Sequence, residues 1–433
     1  MTYSAAEPQF VGGGDARRQN ALSLVFLMLA ALALLVRFCI PPEVMNSVVE
    51  YTTLEGAIWE KIHFGTYALF ALLPFALFSR PIILRGHEIT LFRTFVRFSV
   101  LLIGLMALMV LSGRAGSSGF VLDTYLVAGA AGLIMLSQNA EVRRALGDVT
   151  IIIVIASALI GIFEAVTEMR VLPYALTEDV FRPTGLMGHP LTFGAMCATG
   201  IGFAILPRWP LWLRLVAVFV LFIGCAASGA RLALLIAGLQ IVLLLLFVPW
   251  TQLSPRHERQ AKTIVLVMTL AAGAALIALL FAAGLLSRFG DTLFDENFMA
   301  RVTIYEVFGY ATPRELLMGM DLTALLEIVN TRLNLPYIES SVVVAAFTFG
   351  IPLALFFAWV VGRLLYQLLR GAPVAGKLAT TTFLLAVLSN NTLTTKTPVV
   401  CIVVVLLLAY QSGVPARNRA AQTRETGLAP RPV

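Results

Sequence analysis

Three charged residues stand out where an otherwise apolar chain turns, and their types point to anion binding and proton transfer. Arg182 lies in FRPTGLMGHP (181–190), Arg231 in CAASGARLALLIAG (225–238) and Glu339 in LPYIESSVVVAAFTFG (335–350). Arg182 precedes a proline, which pushes its backbone away from helix, while Pro190 suits the first turn of the next helix. Arg231 heads an apolar run directly after the small-residue turn Ser228-Gly229-Ala230. A helix start adds free N–H groups and partial positive charge, so this arginine and its turn form a natural diphosphate clamp. Glu339 opens another apolar run, where partial desolvation favours a proton acceptor near neutral pH. His189 and Ser340 are secondary candidates at the heads of their runs.

Each of these residues also has a plainer reading. Arg182 can contact headgroups or pair with Glu178 or Asp179, Arg231 can snorkel, and His189 can simply start a helix. Glu339 can form an ion pair with Arg301, Arg332 or Arg231. Three sites on one face weigh against all of them being incidental.

The elements that must position these residues are transmembrane. Of the 433 residues, 59% are hydrophobic and 13% charged, and the mean hydropathy is +0.89, far from the range of soluble domains. The expected fold is an all-α polytopic transmembrane bundle of about twelve spans with short periplasmic surface helices. The spans are 21–38, 63–79, 95–112, 119–138, 148–166, 189–206, 211–227, 230–249, 263–285, 338–361, 378–390 and 397–410; the last two are short enough to form one re-entrant pair. The first lacks a small-residue cleavage site and reads as a retained anchor. Residues 1–20 and 411–433 read as disordered cytoplasmic tails around one transmembrane domain, 21–410.

Placing both termini in the cytoplasm puts about two thirds of the 31 Lys and Arg residues on the inner side and most acidic residues on the outer side, as the positive-inside bias requires. The net charge of +7 is then topogenic and no sign of nucleic-acid binding. The longer outer segments are 39–62, 167–188 and 286–337, and the unusual residues collect there. In the last, apolar spacing over 299–310 and 321–333 predicts short surface helices forming a lid, with Asp321 capping the second. Cys39, Cys197, Cys225 and Cys401 form no CxxC or His cluster and read as packing residues.

Taken in order, RPTGLMGHP, SGARLALL, ARVTIYEVFGYATPRELLMGM and ESSVVVAAFTFGIPLAL resemble the O-antigen ligase and polysaccharide polymerase superfamily of bacterial envelope proteins, over roughly residues 150 to 410. The ligases' R-x-x-x-L helix start is matched by Arg231 and Leu235, and their preceding-loop arginine by Arg182. Glu339-Ser340 followed by Gly350-Ile351 is similar to a segment that commonly reads His-Asn and then Gly-Ile. Glu339 thus replaces the ligase histidine, and Gly319-Met320-Asp321 departs from the usual Gly-x-Gly.

The resemblance implies a metal-independent inner-membrane glycosyltransferase taking glycan from an undecaprenyl-diphosphate donor on the periplasmic face. Arg182 and Arg231, with Arg301 as a third cation, would hold the diphosphate, and Glu339 would deprotonate the glycan acceptor. No cofactor or metal is implied, and the outer loops lack a D-x-D pair. The missing histidine favours a polymerase of exopolysaccharide or O-antigen repeat units over a ligase acting on lipid A-core. A flippase and a chain-length regulator are the accompanying partners. A twelve-span transporter or lipid flippase is the alternative of another class; it would place its ionisable residues near the midplane and in both halves, and no internal repeat is present.

Overall fold

A computed structural model describes residues 13–53, 57–79, 82–84, 86–114, 119–174, 181–250, 254–282 and 296–411. Among these residues the chain is helical and contains no strand. The first part comprises α1 (Gly13–Cys39), α2 (Pro42–Asn46), α3 (Phe64–Phe78), α4 (His87–Leu111), α5 (Val127–Ser137) entered through a π-helical turn at Val121–Leu126, and α6 (Ala140–Thr167). There follow α7 (Pro190–Ala204), α8 (Leu211–Ala227), α9 (Arg231–Phe247) and α10 (Pro255–Ala282). The last part holds α11 (Glu296–Thr303), α12 (Pro313–Met318), α13 (Leu322–Leu333), α14 (Ser341–Phe349), α15 (Ile351–Arg370), α16 (Val374–Leu388) and α17 (Val399–Ala409).

Among the described residues five helices are long and apolar enough to cross a membrane: α1 over Ala21–Cys39, α4, α6, α10 over Pro255–Leu279, and α15. Shorter apolar helices, α3, Val121–Ser137, α7, α8, α9, α16 and α17, fill the bundle between them. At 11 residues, α17 rises only about 16 Å, roughly half the hydrocarbon thickness. It survives because it is enclosed: every residue from Val399 to Ala409 is buried, and it packs on α5 and α6. A helix apolar all round has no polar face to turn outward, so the centre is its stable place. Around it, α7 packs on α6, α8, α9 and α16, while α4 joins α5 to α15.

Two expectations are corrected. The segment 338–361 is not one span: Gly350, at φ +81°, breaks it into α14 and α15. The left-handed region admits glycine without strain, and α14 consequently leaves the bundle to join a separate apolar cluster with Ile304, Val307, Leu325 and Val329. The second correction concerns the amino-terminal tail, which is helical from Gly13 onward. The other expected tail lies outside the described residues except for Gln411, as does the stretch 286–295 of the large loop.

The rest of that loop folds as its periodicity predicts. It forms α11, a 3-10 turn at Ile304–Gly309, α12 and α13, and Asp321 caps α13 by accepting from Thr323 N at 2.8 Å. Glycines fix how this unit docks. Gly319, at φ +79°, lies against Gly350, and Met320 N donates to Phe347 O at 2.7 Å. A β-carbon on Gly350 would sit 2.2 Å from Leu317 O.

Deep in the first third of the chain, a buried polar cluster ties loops to helices. Asp123, in the π-helical turn, accepts from Tyr51 Oη at 2.9 Å and from His63 N at 3.3 Å, and its carbonyl accepts from buried Arg37 at 2.6 Å. Lys396 donates to the carbonyls of Tyr51 and Lys61 at 2.7 and 2.9 Å, joining the last loop to the first. The four cysteines are free, three of them buried, as packing residues should be.

This arrangement requires α1 and α3 to touch backbone to backbone. A β-carbon on Gly65 would lie 2.5 Å from Arg37 Cα, and main chain cannot swing aside as a side chain can. Gly65→Ala should therefore destabilise the protein by about 1–3 kcal/mol, whereas Gly104→Ala, with nothing within 4 Å, should not. Thermal unfolding followed by detergent-phase size exclusion checks both; equal melting temperatures for the two variants would refute close α1–α3 contact.

Candidate functional site

The candidate site is built on a buried carboxylate that the sequence reading passed over. Glu164, near the end of α6, is fully buried. Its Oε1 accepts from Val171 N at 3.0 Å, and its Oε2 accepts from Thr184 N and Gly185 N, both at 2.9 Å. Ser157, two turns earlier on the same helix, accepts from Leu186 N at 3.0 Å. A loop lying against a helix bundle must satisfy its main-chain donors, and these two side chains do so. Gly185 makes the close approach possible, being at φ +52° with Ser157 O only 2.6 Å from where a β-carbon would be.

Held in this way, the segment presents Arg182 to the turn between α8 and α9. Arg182 Nε donates to Ser228 O at 3.3 Å, and Arg170 donates to Arg182 O at 3.1 Å while stacking over Tyr174. The partners Glu178 and Asp179 considered for Arg182 lie outside the described residues. Ser228 is buried, and its Oγ accepts from Ala230 N at 3.1 Å. Arg231 is the first residue of α9, and Ala230 supplies no side-chain cap.

Four sequence-distant residues, Arg182, Arg231, Arg301 and Glu339, line one cavity of about 620 Å³. Its walls are of two kinds. Leu191, Ala195, Leu232 and Leu235 are apolar, while Ser389 and Asn390 give it a polar floor. Tyr305 and Tyr337 also line it, and both are about half exposed. A volume of this order lies within the usual 300–1,000 Å³ of ligand sites.

Glu339 is found in the ion pair that was one of its two readings: Arg301 Nε donates to Glu339 Oε2 at 3.1 Å, with the two side chains 34% and 21% exposed. Such exposure limits the strength of the pair through solvent screening. Ser340 caps α14, its Oγ accepting from Val343 N at 3.3 Å and lying 3.3 Å from Tyr305 Oη. His189 lines no part of the cavity. It caps α7, with Nδ1 accepting from Leu191 N at 3.2 Å. It is a helix-start residue, as its plainer reading had it.

Ser389 and Asn390 were missed because they lie at the end of an apolar run. The signal was present in SNNTLTTKT (389–397), a polar stretch between two apolar segments. Asn390 O accepts from both Ser341 N and Ser341 Oγ, at 3.1 and 2.7 Å, so this loop also seats the first turn of α14.

No protein-family model matches the chain, and no curated protein matches it. The site is accordingly defined by its own geometry.

Replacing Glu164 by Gln keeps its size but turns an N–H₂ group toward backbone N–H donors. The expected cost is about 1–3 kcal/mol, felt locally: amide exchange at Val171, Thr184 and Gly185 should accelerate before the bundle itself loosens. Unchanged protection at these three amides would show that the loop is held by something else.

Proposed function

We propose that the protein is a metal-independent glycosyltransferase of the bacterial inner membrane, polymerising undecaprenyl-diphosphate-linked repeat units of an exopolysaccharide or O-antigen on the periplasmic face. The observation that carries this reading is the meeting of three arginines, a helix N-terminus and one carboxylate in a cavity with an apolar wall. A lipid diphosphate has this dual character, with two charged phosphates joined to a long apolar chain. Guanidinium groups match phosphate oxygens with paired donors. A transporter reading fits less well, because these groups gather at one end of the helices.

In the proposed reaction an acceptor sugar hydroxyl attacks the anomeric carbon of the donor. The bond from that carbon to the diphosphate oxygen breaks, and the electron pair leaves with the undecaprenyl diphosphate. Arg182, Arg231 and the α9 N-terminus stabilise the charge that accumulates on the departing oxygen. The hydroxyl proton passes to Glu339 and from there to water.

The Glu339–Arg301 pair gives this reaction an order. Arg301 holds the Glu339 carboxylate. A diphosphate entering between Arg231 and Arg301 competes for the same guanidinium, and movement of Arg301 toward phosphate frees the Glu339 oxygen to meet the acceptor hydroxyl.

Arg231→Ala should abolish polymer formation at unchanged protein abundance, and Arg231→Lys should restore only part of it, since a point charge lacks the paired fork. Normal surface polysaccharide in the alanine variant would refute the clamp. For the base, Glu339→Gln should lower transfer about 10²-fold or more in reconstituted protein while donor binding survives, and Glu339→His should recover a fraction of it. Normal turnover in the glutamine variant would leave Glu339 only its ion pair with Arg301.

A further inference from the structure

A second concave site lies away from the candidate cavity, between α4 and α15. The two helices run antiparallel. His87, at the start of α4, meets Gln367 O at 3.1 Å, and Arg114, just past the other end, donates to Thr348 O at 3.0 Å. Between these points a groove of about 380 Å³ is lined by Thr94, Arg97, Leu101, Trp359 and Arg363, with Phe98 at its base. Its arginines lie in the half remote from Gly350. Arg97 is about 15 Å along α4 from His87, and Arg363 is about 10 Å along α15 from Arg370, at 1.5 Å per residue.

Both helices are among those long and apolar enough to cross a membrane. Arg97 and Arg363 are nevertheless exposed on their outer faces. Among the described residues neither makes a hydrogen bond or an ion pair. The nearby carboxylate of Glu88 is already paired with Arg143. Two unpaired guanidinium groups within apolar spans are costly unless an anion meets them, and no acidic side chain lines the groove.

We propose that this groove binds one anionic glycerophospholipid, with its phosphate between Arg97 and Arg363 and an acyl chain along Phe98, Leu101 and Val360. The chemistry selects the headgroup. A zwitterionic lipid would bring an ammonium group beside two guanidinium groups, whereas a glycerol headgroup brings hydroxyls. Thr94 donates its own hydroxyl hydrogen to Thr90 O at 2.7 Å, so its oxygen presents lone pairs that can accept from such a hydroxyl. Trp359, 56% exposed, supplies an amphipathic wall suited to the interface. This site is separate from the glycan chemistry and stands whether or not that proposal holds.

The test uses purified, delipidated full-length protein titrated with phosphatidylglycerol and, in parallel, phosphatidylethanolamine, with bound lipid counted by native mass spectrometry. The wild type should prefer phosphatidylglycerol, and the double variant R97Q/R363Q should bind it about tenfold more weakly or worse, with phosphatidylethanolamine unaffected. Arg231→Ala should retain the preference, which separates this groove from the candidate cavity. Should the double variant fail to accumulate, Leu101→Trp fills the groove without touching its charges and should give the same loss. Equal binding of the two lipids by the wild type, or an intact preference in whichever of these groove variants folds, would overturn the proposal, as would its loss in Arg231→Ala alone.

Discussion

Glu164 is the constraint on which the candidate site rests. A carboxylate buried at the end of α6 would be intolerable without partners, and it finds three backbone N–H groups in the segment that follows. The dependence is mutual, because those N–H groups lie against the bundle and need an acceptor. One interaction therefore satisfies both sides and leaves Arg182 facing the Ser228 turn. From there the geometry propagates: Arg182 meets the carbonyl of Ser228, the Ser228 hydroxyl shapes the turn, and the turn places Arg231 at the head of α9.

The opposite wall is secured differently. There the supports are main-chain contacts, with Gly319 against Gly350 and Met320 bonded to Phe347. Contacts of this kind set position without adding charge, so the charged groups of the wall are left to the cavity. Arg301 and Glu339 face it as a pair that is only partly desolvated. An exposed pair of this sort is weak enough to be exchanged for another partner, which suits a residue proposed to change from carboxylate to phosphate. The floor, Ser389 and Asn390, belongs to the loop between α16 and α17, and Lys396 of that loop reaches the carbonyls of Tyr51 and Lys61. Burial lowers the Lys396 pKa to about 8, against the opposing charge of Asp123. The walls and floor thus draw on elements from both ends of the chain.

Much of this was legible in the sequence. Hydropathy alone marks a membrane bundle, since apolar runs of this length have no other stable environment. Helix heads were readable wherever a local rule governs them, as with Asp321 before α13 and Arg231 after a small-residue turn. The charged residues of the candidate site were legible because a charge at the edge of an apolar run is rare enough to require a reason. The break at Gly350 was not, because a glycine within an apolar run is compatible with a continuous helix as well as with a bend. Only the contact with Leu317 and Gly319 decides between them.

By itself, then, the sequence determined the helical class and the residues available for chemistry, because hydropathy and charge are local properties. Which of those residues meet was decided by tertiary structure alone. His189 and Arg182 stand seven residues apart, yet one caps a helix and the other faces the cavity. Arg301 could have paired with nothing, or Glu339 with Arg332 or Arg231, and only packing selected the pair that forms. Glu164 shows the same limit: in sequence it is one carboxylate near the end of an apolar helix, and its role exists only once the following loop folds back onto it. Pairing and burial depend on distances between segments far apart in the chain, and no local pattern encodes those distances.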